Sequence, residues 1–441
     1  MLSSLSFEHF NKLIVELKRF IKKIHENIPK ECLWVFSDEI VVRAIRLNMA
    51  VSDQGPRRKI LRGILRFLRW EWLQLIFIFV LGVIYTIHLL LQQIAVPRTY
   101  CCYRDKINLF FGFGARAEKH LFSEFCKRIS GNNIFINTFE ISTMVQIEHV
   151  KVFHMFNEIF MSVKKLRTAI SMLPESCNRY RLDWTVSATM RITQYAYAKV
   201  WFQAVQRSNP DIEAYFLASD TYSFAAIDVS IPSHFIQHGL LSKNIIFPAF
   251  QSILPLTSYE AVYVSNVFGI KPLTQVLRMM PTINITQRRS AIFVSGKLSI
   301  VMKDSALSFV KHLILLGFVV YVRPYIGEDI SFWELQQLKY NVPLLIASSK
   351  NSFIDLVDSI RPLFIVSWGS TTLAESLYMG IIPICIADIN ASGLEDTVYP
   401  LLKCTLHWPQ DINLIAEVYQ TQHKYESVLN DLRANEKNIE T

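Results

Sequence analysis

The chain has 441 residues, too many for one hydrophobic core, so two domains are the starting expectation. It is 51% hydrophobic, with a mean hydropathy of +0.25 and a formal net charge of +9, which is oily for a purely water-exposed enzyme. The charge gathers early, in Lys18, Arg19, Lys22 and Lys23 and again in Arg57, Arg58, Lys59, Arg62, Arg66 and Arg69. No nucleic-acid motif accompanies these clusters, so no nucleic-acid partner is expected; anionic lipid headgroups or plain solvation account for them instead. The seven cysteines (Cys32, Cys101, Cys102, Cys126, Cys177, Cys385 and Cys404) are odd in number and contain no CxxC, which fits free thiols in a reducing compartment.

In chain order, residues 6–28 place Phe7, Phe10, Leu13, Ile14, Leu17, Ile21 and Ile24 at helical spacing among Lys and Glu. We take 1–30 as an amphipathic helix, suited equally to a membrane surface or to the body of the protein. It has no signal-peptide pattern, because charges interrupt each apolar stretch. Leu33-Trp34-Val35-Phe36 reads as a short strand.

Trp72 to Pro97 carries no Asp, Glu, Lys or Arg and is long enough to cross a bilayer. With the basic cluster before it, a crossing would put everything after Arg98 on the far side. Three readings stay open: an interfacial or re-entrant segment, a buried helix, or a type II anchor with a lumenal catalytic part. We expect docking without export.

From Ile107 an α/β rhythm begins. Ile107–Phe111 leads into Gly112-Phe113-Gly114, a strand and glycine turn without the full dinucleotide fingerprint. Residues 140–208 read as mainly helical. Ala214–Asp220 and Ser233–Gly239 read as strands with polar tips, so Asp220 and His238 stand at strand C-terminal ends, where open parallel sheets collect ligand-facing groups. Residues 255–285 read as a connector. A second unit follows, with strands at Ala291–Val294, Phe318–Arg323, Val342–Ala347 and Phe364–Ser367, alternating with helices. Ser370, Thr371 and Thr372 open a helix after the Ser367-Trp368-Gly369 loop, where unpaired N–H groups attract phosphate or carboxylate. An ordinary capped helix is the alternative reading of that segment. The expected boundaries are 31–285 for an N-terminal acceptor-side α/β domain including the apolar segment 72–97, 286–408 for a Rossmann-like donor domain, and 409–441 for a helical tail.

Three pieces within 290–390 carry a family resemblance: Ser295-Gly296-Lys297, Arg323-Pro324, and Ser367-Trp368-Gly369-Ser370-Thr371-Thr372 with Glu375 and Gly380. Together they resemble the donor half of GT-B glycosyltransferases, particularly those of bacterial surface-polysaccharide synthesis. Gln237-His238-Gly239 resembles the His-Gly element of capsule enzymes and of teichoic-acid-type glycerophosphotransferases. Bacterial sialyltransferases carry a His-Pro donor motif and an acidic pair followed by Gly; here Arg323-Pro324 runs into Tyr325-Ile326, and no such acidic pair occurs.

The resemblance implies an α/β fold of two doubly wound Rossmann-like domains facing a cleft, and a metal-independent glycosyltransferase without cofactor. Gly296, Lys297, Arg323, Ser367, Ser370, Thr371, Thr372 and Glu375 would bind the donor, with Arg323, Lys297 and the helix start stabilising the departing phosphate. His238 would be the catalytic base, with Asp220 second; a structural histidine and a helix cap are the plain alternatives. The implied partners are a nucleotide-activated sugar (a cytidine-monophosphate sugar such as sialic acid first), a glycan or lipid-linked acceptor such as O-antigen or capsule, and a membrane surface. The implied location is the cytoplasmic side of a bacterial inner membrane, peripheral or monotopic. A CDP-glycerol-type polyol-phosphate transferase and a non-catalytic scaffold on the same fold are the rivals.

Overall fold

The apolar runs of the sequence become central strands of two parallel sheets. In a computed structural model the described residues are 23–36, 70–95, 106–112, 116–127, 129–137, 145, 147, 150–173, 175, 181–241, 245–273, 289–295, 300–324, 330–340, 344–347, 353–386 and 397–437. The basic clusters before Lys23 and over 57–69, the Gly296-Lys297 turn and Tyr325-Ile326 lie outside them. So does most of the expected helix over 1–30. The chain divides into two compact units: Met1–His238 with Asn244–Gln275, and Gly239–Lys243 with Val276–Thr441.

The first unit holds strands β1 (Ile107–Gly112), β2 (Asn132–Asn137), β3 (Ile212–Phe216), β4 (Ser233–Ile236), β5 (Ser252–Leu254) and β6 (Lys271–Pro272). They form a six-stranded sheet in the order β2-β1-β3-β4-β5-β6, every neighbouring pair parallel. Every residue of β1 is buried, as expected of a strand covered on both faces. Phe111 stacks on Phe216 at 4.8 Å between ring centroids and meets Phe202 at 5.3 Å, so aromatic rings knit the sheet to the helix behind it.

Helices of this unit are α1 (Glu71–Ala95), α2 (Arg116–Cys126), α3 (Val152–Ser171), α4 (Arg181–Ser208), α5 (Thr221–Asp228) and α6 (Ser258–Phe268). At the strand N-terminal ends, Lys106 and the Tyr215 hydroxyl both bond Glu213, at 2.5 and 2.7 Å, while His234 Nδ1 meets Ser252 Oγ at 2.6 Å.

Two expectations are corrected here. Leu33–Phe36 is not a strand but part of a 3-10 helix, Lys30–Phe36. Four consecutive apolar residues have no period to separate strand from buried helix. A Cys32 N–H to Pro29 carbonyl bond at 2.9 Å opens the turn, and Trp34 stacks on Tyr195 at 4.4 Å. The stretch 255–285 is likewise more than a connector: α6 and β6 lie within it, β6 too short for periodicity to reveal.

The second unit holds β7 (Ser290–Val294), β8 (Val319–Arg323), β9 (Leu344–Ile346), β10 (Phe364–Ser367), β11 (Ile382–Cys385) and β12 (Leu406–His407). Its order is β12-β11-β10-β7-β8-β9, also parallel throughout. The chain starts in the middle, winds outward through β8 and β9, then returns to β10 and winds the other way. That is the doubly wound arrangement expected, with its switch point between β7 and β10. Its helices are α7 (Ile300–Leu315), α8 (Ser331–Tyr340), α9 (Phe353–Ile360), α10 (Thr371–Met379), α11 (Leu401–Cys404), α12 (Ile412–Gln420) and α13 (Gln422–Lys437). The tail after 409 is therefore two helices. Tyr425 on the second donates to the Gly380 carbonyl at 2.6 Å.

Candidate active site

Strand β10 ends at the switch point, where ligands of doubly wound sheets collect. Ser367 Oγ donates across to the Val294 carbonyl at 3.1 Å, so this hydroxyl joins β10 to β7. Being 2% exposed, it pins the two strands. The chain then turns at Gly369, whose φ of 96° lies in the left-handed region that a side chain disfavours.

Ser370 is the N-cap of α10: extended, at φ −88° and ψ 155°, with its side chain accepting from the Thr372 N–H at 3.3 Å. No acidic residue stands in the first turn, so the positive end of the helix keeps its charge unneutralised from within. Thr372 is 9% exposed, and its Oγ1 has no hydrogen-bond partner. A buried hydroxyl left so costs about 1–3 kcal/mol.

Thr371 Oγ1 has a partner that the sequence did not announce: the Leu240 N–H donates to it at 3.3 Å. The Val398 N–H donates to the Leu241 carbonyl at 2.8 Å, so the residues after His238 are stitched to the α10 entrance and to the stretch before α11. Gly239 packs here too. A Cβ placed on it would meet Thr371 Oγ1 at 3.5 Å, an ordinary contact, so packing does not demand a glycine.

Arg323 closes β8. Its guanidinium lies over the Phe353 ring, 5.6 Å from the centroid, at the start of α9. Burial pulls its pKa down, and the nearby Glu375 carboxylate pushes it back up. Glu375 is itself buried in the second turn of α10. Sequence reasoning gave these two residues separate jobs; the fold makes them electrostatic neighbours. Gly296 and Lys297 lie outside the described residues, although Ser295 just before them donates its N–H to the Arg323 carbonyl at 3.1 Å.

In the first unit, Asp220 follows β3 and caps α5. Its Oδ1 accepts from the Tyr222 and Ser223 N–H groups at 3.0 and 3.1 Å, and Ser223 Oγ accepts in return from the Asp220 N–H at 3.0 Å. The closed capping box and 5% exposure show the cap that the sequence offered as the plain alternative for Asp220: its carboxylate holds a helix. His238 differs. It is exposed, two residues beyond the end of β4, and the neighbouring Gln237 side chain is committed to the Leu256 N–H at 2.9 Å. Among the described residues, no three His, Cys, Asp or Glu side chains gather in a way that would hold a metal ion.

No protein-family model matches the chain, and no curated protein matches it. Solved structures do show likeness. Staphylococcus aureus MnaA, in a co-structure with UDP, is 11% identical, with a TM-score of 0.46 over 74% of this chain and 91% of that one. Acinetobacter baumannii MurG is 9% identical, at 0.41 over 75% and 95%. The Methanocaldococcus jannaschii UDP-GlcNAc 2-epimerase, in complex with UDP-GlcNAc and UDP, is 10% identical, at 0.42 over 74% and 93%. Likeness at these scores assigns this chain neither a family nor a reaction.

Proposed function

We propose that this protein is a glycosyltransferase that moves a sugar from a nucleotide-activated donor to a glycan or lipid-linked glycan, on the cytoplasmic side of a bacterial inner membrane. One observation supports the reading: the helix entrance at the switch point of the second unit has a neutral cap and no acid in its first turn. Ser370, a neutral cap, leaves the dipole available; Arg323 supplies a cation; Thr372 Oγ1 lacks a partner. The anion that fits is the phosphate of the donor.

In the transfer step the acceptor hydroxyl gives its proton to His238, and its oxygen bonds the anomeric carbon as the bond to the phosphate oxygen breaks. The nucleotide leaves carrying the electron pair. Its charge is met by Arg323 and the α10 N–H groups, placed before the reaction begins. His238 suits the base role because it is exposed, two residues beyond the end of β4. Inversion at the anomeric carbon, and a cytidine-monophosphate sugar such as sialic acid as donor, follow the family resemblance. The Gln237-His238-Gly239 element favours a second reading, a polyol-phosphate transferase using CDP-glycerol.

Incubating the full chain with cytidine-monophosphate sugars, uridine-diphosphate sugars and CDP-glycerol, and following nucleotide release, separates the two. Release from a sugar nucleotide supports the first reading, and release from CDP-glycerol alone the second. A chain that binds no nucleotide from the panel overturns both.

A further inference from the structure

Helix α1 is turned inside out relative to a helix in water. Polar side chains in its second half face the protein: Thr86 and Gln92 are buried, and His88 Nδ1 meets the Tyr197 hydroxyl on α4 at 2.9 Å. Ile78 and Leu89 fill the same inner face, and a Cβ on Gly82 would come within 2.8 Å of Ile159 Cδ1 on α3, so that side is sealed against a neighbour. The opposite side carries Ile76, Phe79 (60% exposed), Ile84 and Leu91. In an eighteen-residue stretch of this helix only 22% is buried.

The apolar surface continues onto a second helix. Phe79 meets Phe156 of α3 at 5.9 Å, and α3 presents Phe153 and Phe160, 75% and 68% exposed. Farther along α3, at helical spacing from Phe160, come the exposed Lys164 and Arg167. Basic residues also precede α1 in sequence, at Arg57, Arg58, Lys59, Arg62, Arg66 and Arg69, followed by exposed Trp70 and Trp72. Apolar side chains bordered by Trp and by Lys or Arg match the boundary between acyl chains and anionic headgroups.

We infer that α1 and the first half of α3 form one face that docks in the plane of an anionic phospholipid bilayer, without α1 crossing it. A crossing would draw the helices packed on α1, with charges such as Lys164 and Arg167, into the hydrocarbon with it, whereas a half-covered helix can lie at the interface. This deepens the membrane placement proposed above and stands apart from the transfer chemistry.

The test is flotation of the full chain with vesicles of phosphatidylglycerol and phosphatidylethanolamine, against vesicles of phosphatidylcholine alone. Binding is expected to the anionic vesicles and to weaken with added salt. The pair Phe153→Ser and Phe160→Ser should lower the bound fraction by about tenfold. A chain crossing the bilayer through α1 alone would keep full binding in that variant, which overturns the inference. So would a wild-type chain that ignores anionic vesicles but sediments as a dimer that the same variant disperses. Nucleotide binding by the variant, measured separately, is expected unchanged, so a failure of docking and a failure of the transferase reading remain distinguishable.

Discussion

Each unit contains a strand, a short turn and a helix N-terminus at the switch point of its own parallel sheet, and the two turns differ in charge. After β3 the cap is Asp220, an anion already seated on the first N–H groups of α5. After β10 the cap is Ser370, neutral, with no acid in the first turn of α10, and one turn farther in Glu375 is the electrostatic neighbour of Arg323. Both turns bury a threonine hydroxyl without a partner, Thr221 in one and Thr372 in the other, so an orphaned hydroxyl does not by itself distinguish them. The resident charge does. One helix end supplies its own anion, and the other has none in its first turn.

The largest effect should come from His238. Replacing it with Ala is expected to lower transfer about 10²–10⁴-fold, with donor affinity unchanged in a calorimetric titration, because a positioned base acts on the step and not on binding. A variant that transfers at the wild-type rate removes His238 from the mechanism.

The comparison itself is broken or sharpened by exchanging caps. Ser370→Asp supplies the anion found in the other turn. It should keep or raise the melting temperature, since Asp caps as well as Ser, while donor affinity drops by more than about tenfold through like-charge repulsion. Ser370→Ala with Thr371→Ala should weaken donor binding by about tenfold and leave the fold intact. Donor affinity unchanged in both variants removes the phosphate from this helix.

Asp220→Ala tests the other side. It is expected to cost about 1–2 kcal/mol of stability by denaturant unfolding, with nucleotide affinity untouched. A loss of transfer without a loss of stability would assign Asp220 to the chemistry.

The smallest effect is with pH. Burial lowers the pKa of His234, opposed in part by the Glu213 carboxylate, and burial likewise lowers His88 and His407. The folded chain therefore resists protonating them, and protons favour the unfolded state. Stability should be level above about pH 6.5 and decline as pH falls below it. Glu213 adds a loss at lower pH: burial raises its pKa, but the Lys106 and Tyr215 hydrogen bonds outweigh burial and leave it lowered. A melting temperature that rises on acidification through that range contradicts these assignments.

Much of the fold was legible because its strands are continuous apolar runs, as in Ala291–Val294 and Phe364–Val366, and such runs mean strands buried on both faces. The helix opening at Ser370 was legible from hydroxyl side chains after a glycine turn. What escaped was tertiary. No local pattern says that the Leu240 backbone will serve Thr371, 131 residues away, or that Arg323 and Glu375 will share one field. Asp220 shows the converse. The sequence offered both a cap and a base, and only the hydrogen bonds from Tyr222 and Ser223 show the cap. Short strands such as Lys271–Pro272 are fixed by their neighbours and leave no periodic trace.

The outward hydrocarbon side of α1 bears on how the protein must be handled. Kept in plain buffer, such a surface hides from water by adhering to other copies, and turnover measured there would report the clumped material. Micelles or nanodiscs supply the missing solvent, so specific activity should climb as they are added and then level off once every molecule has found one.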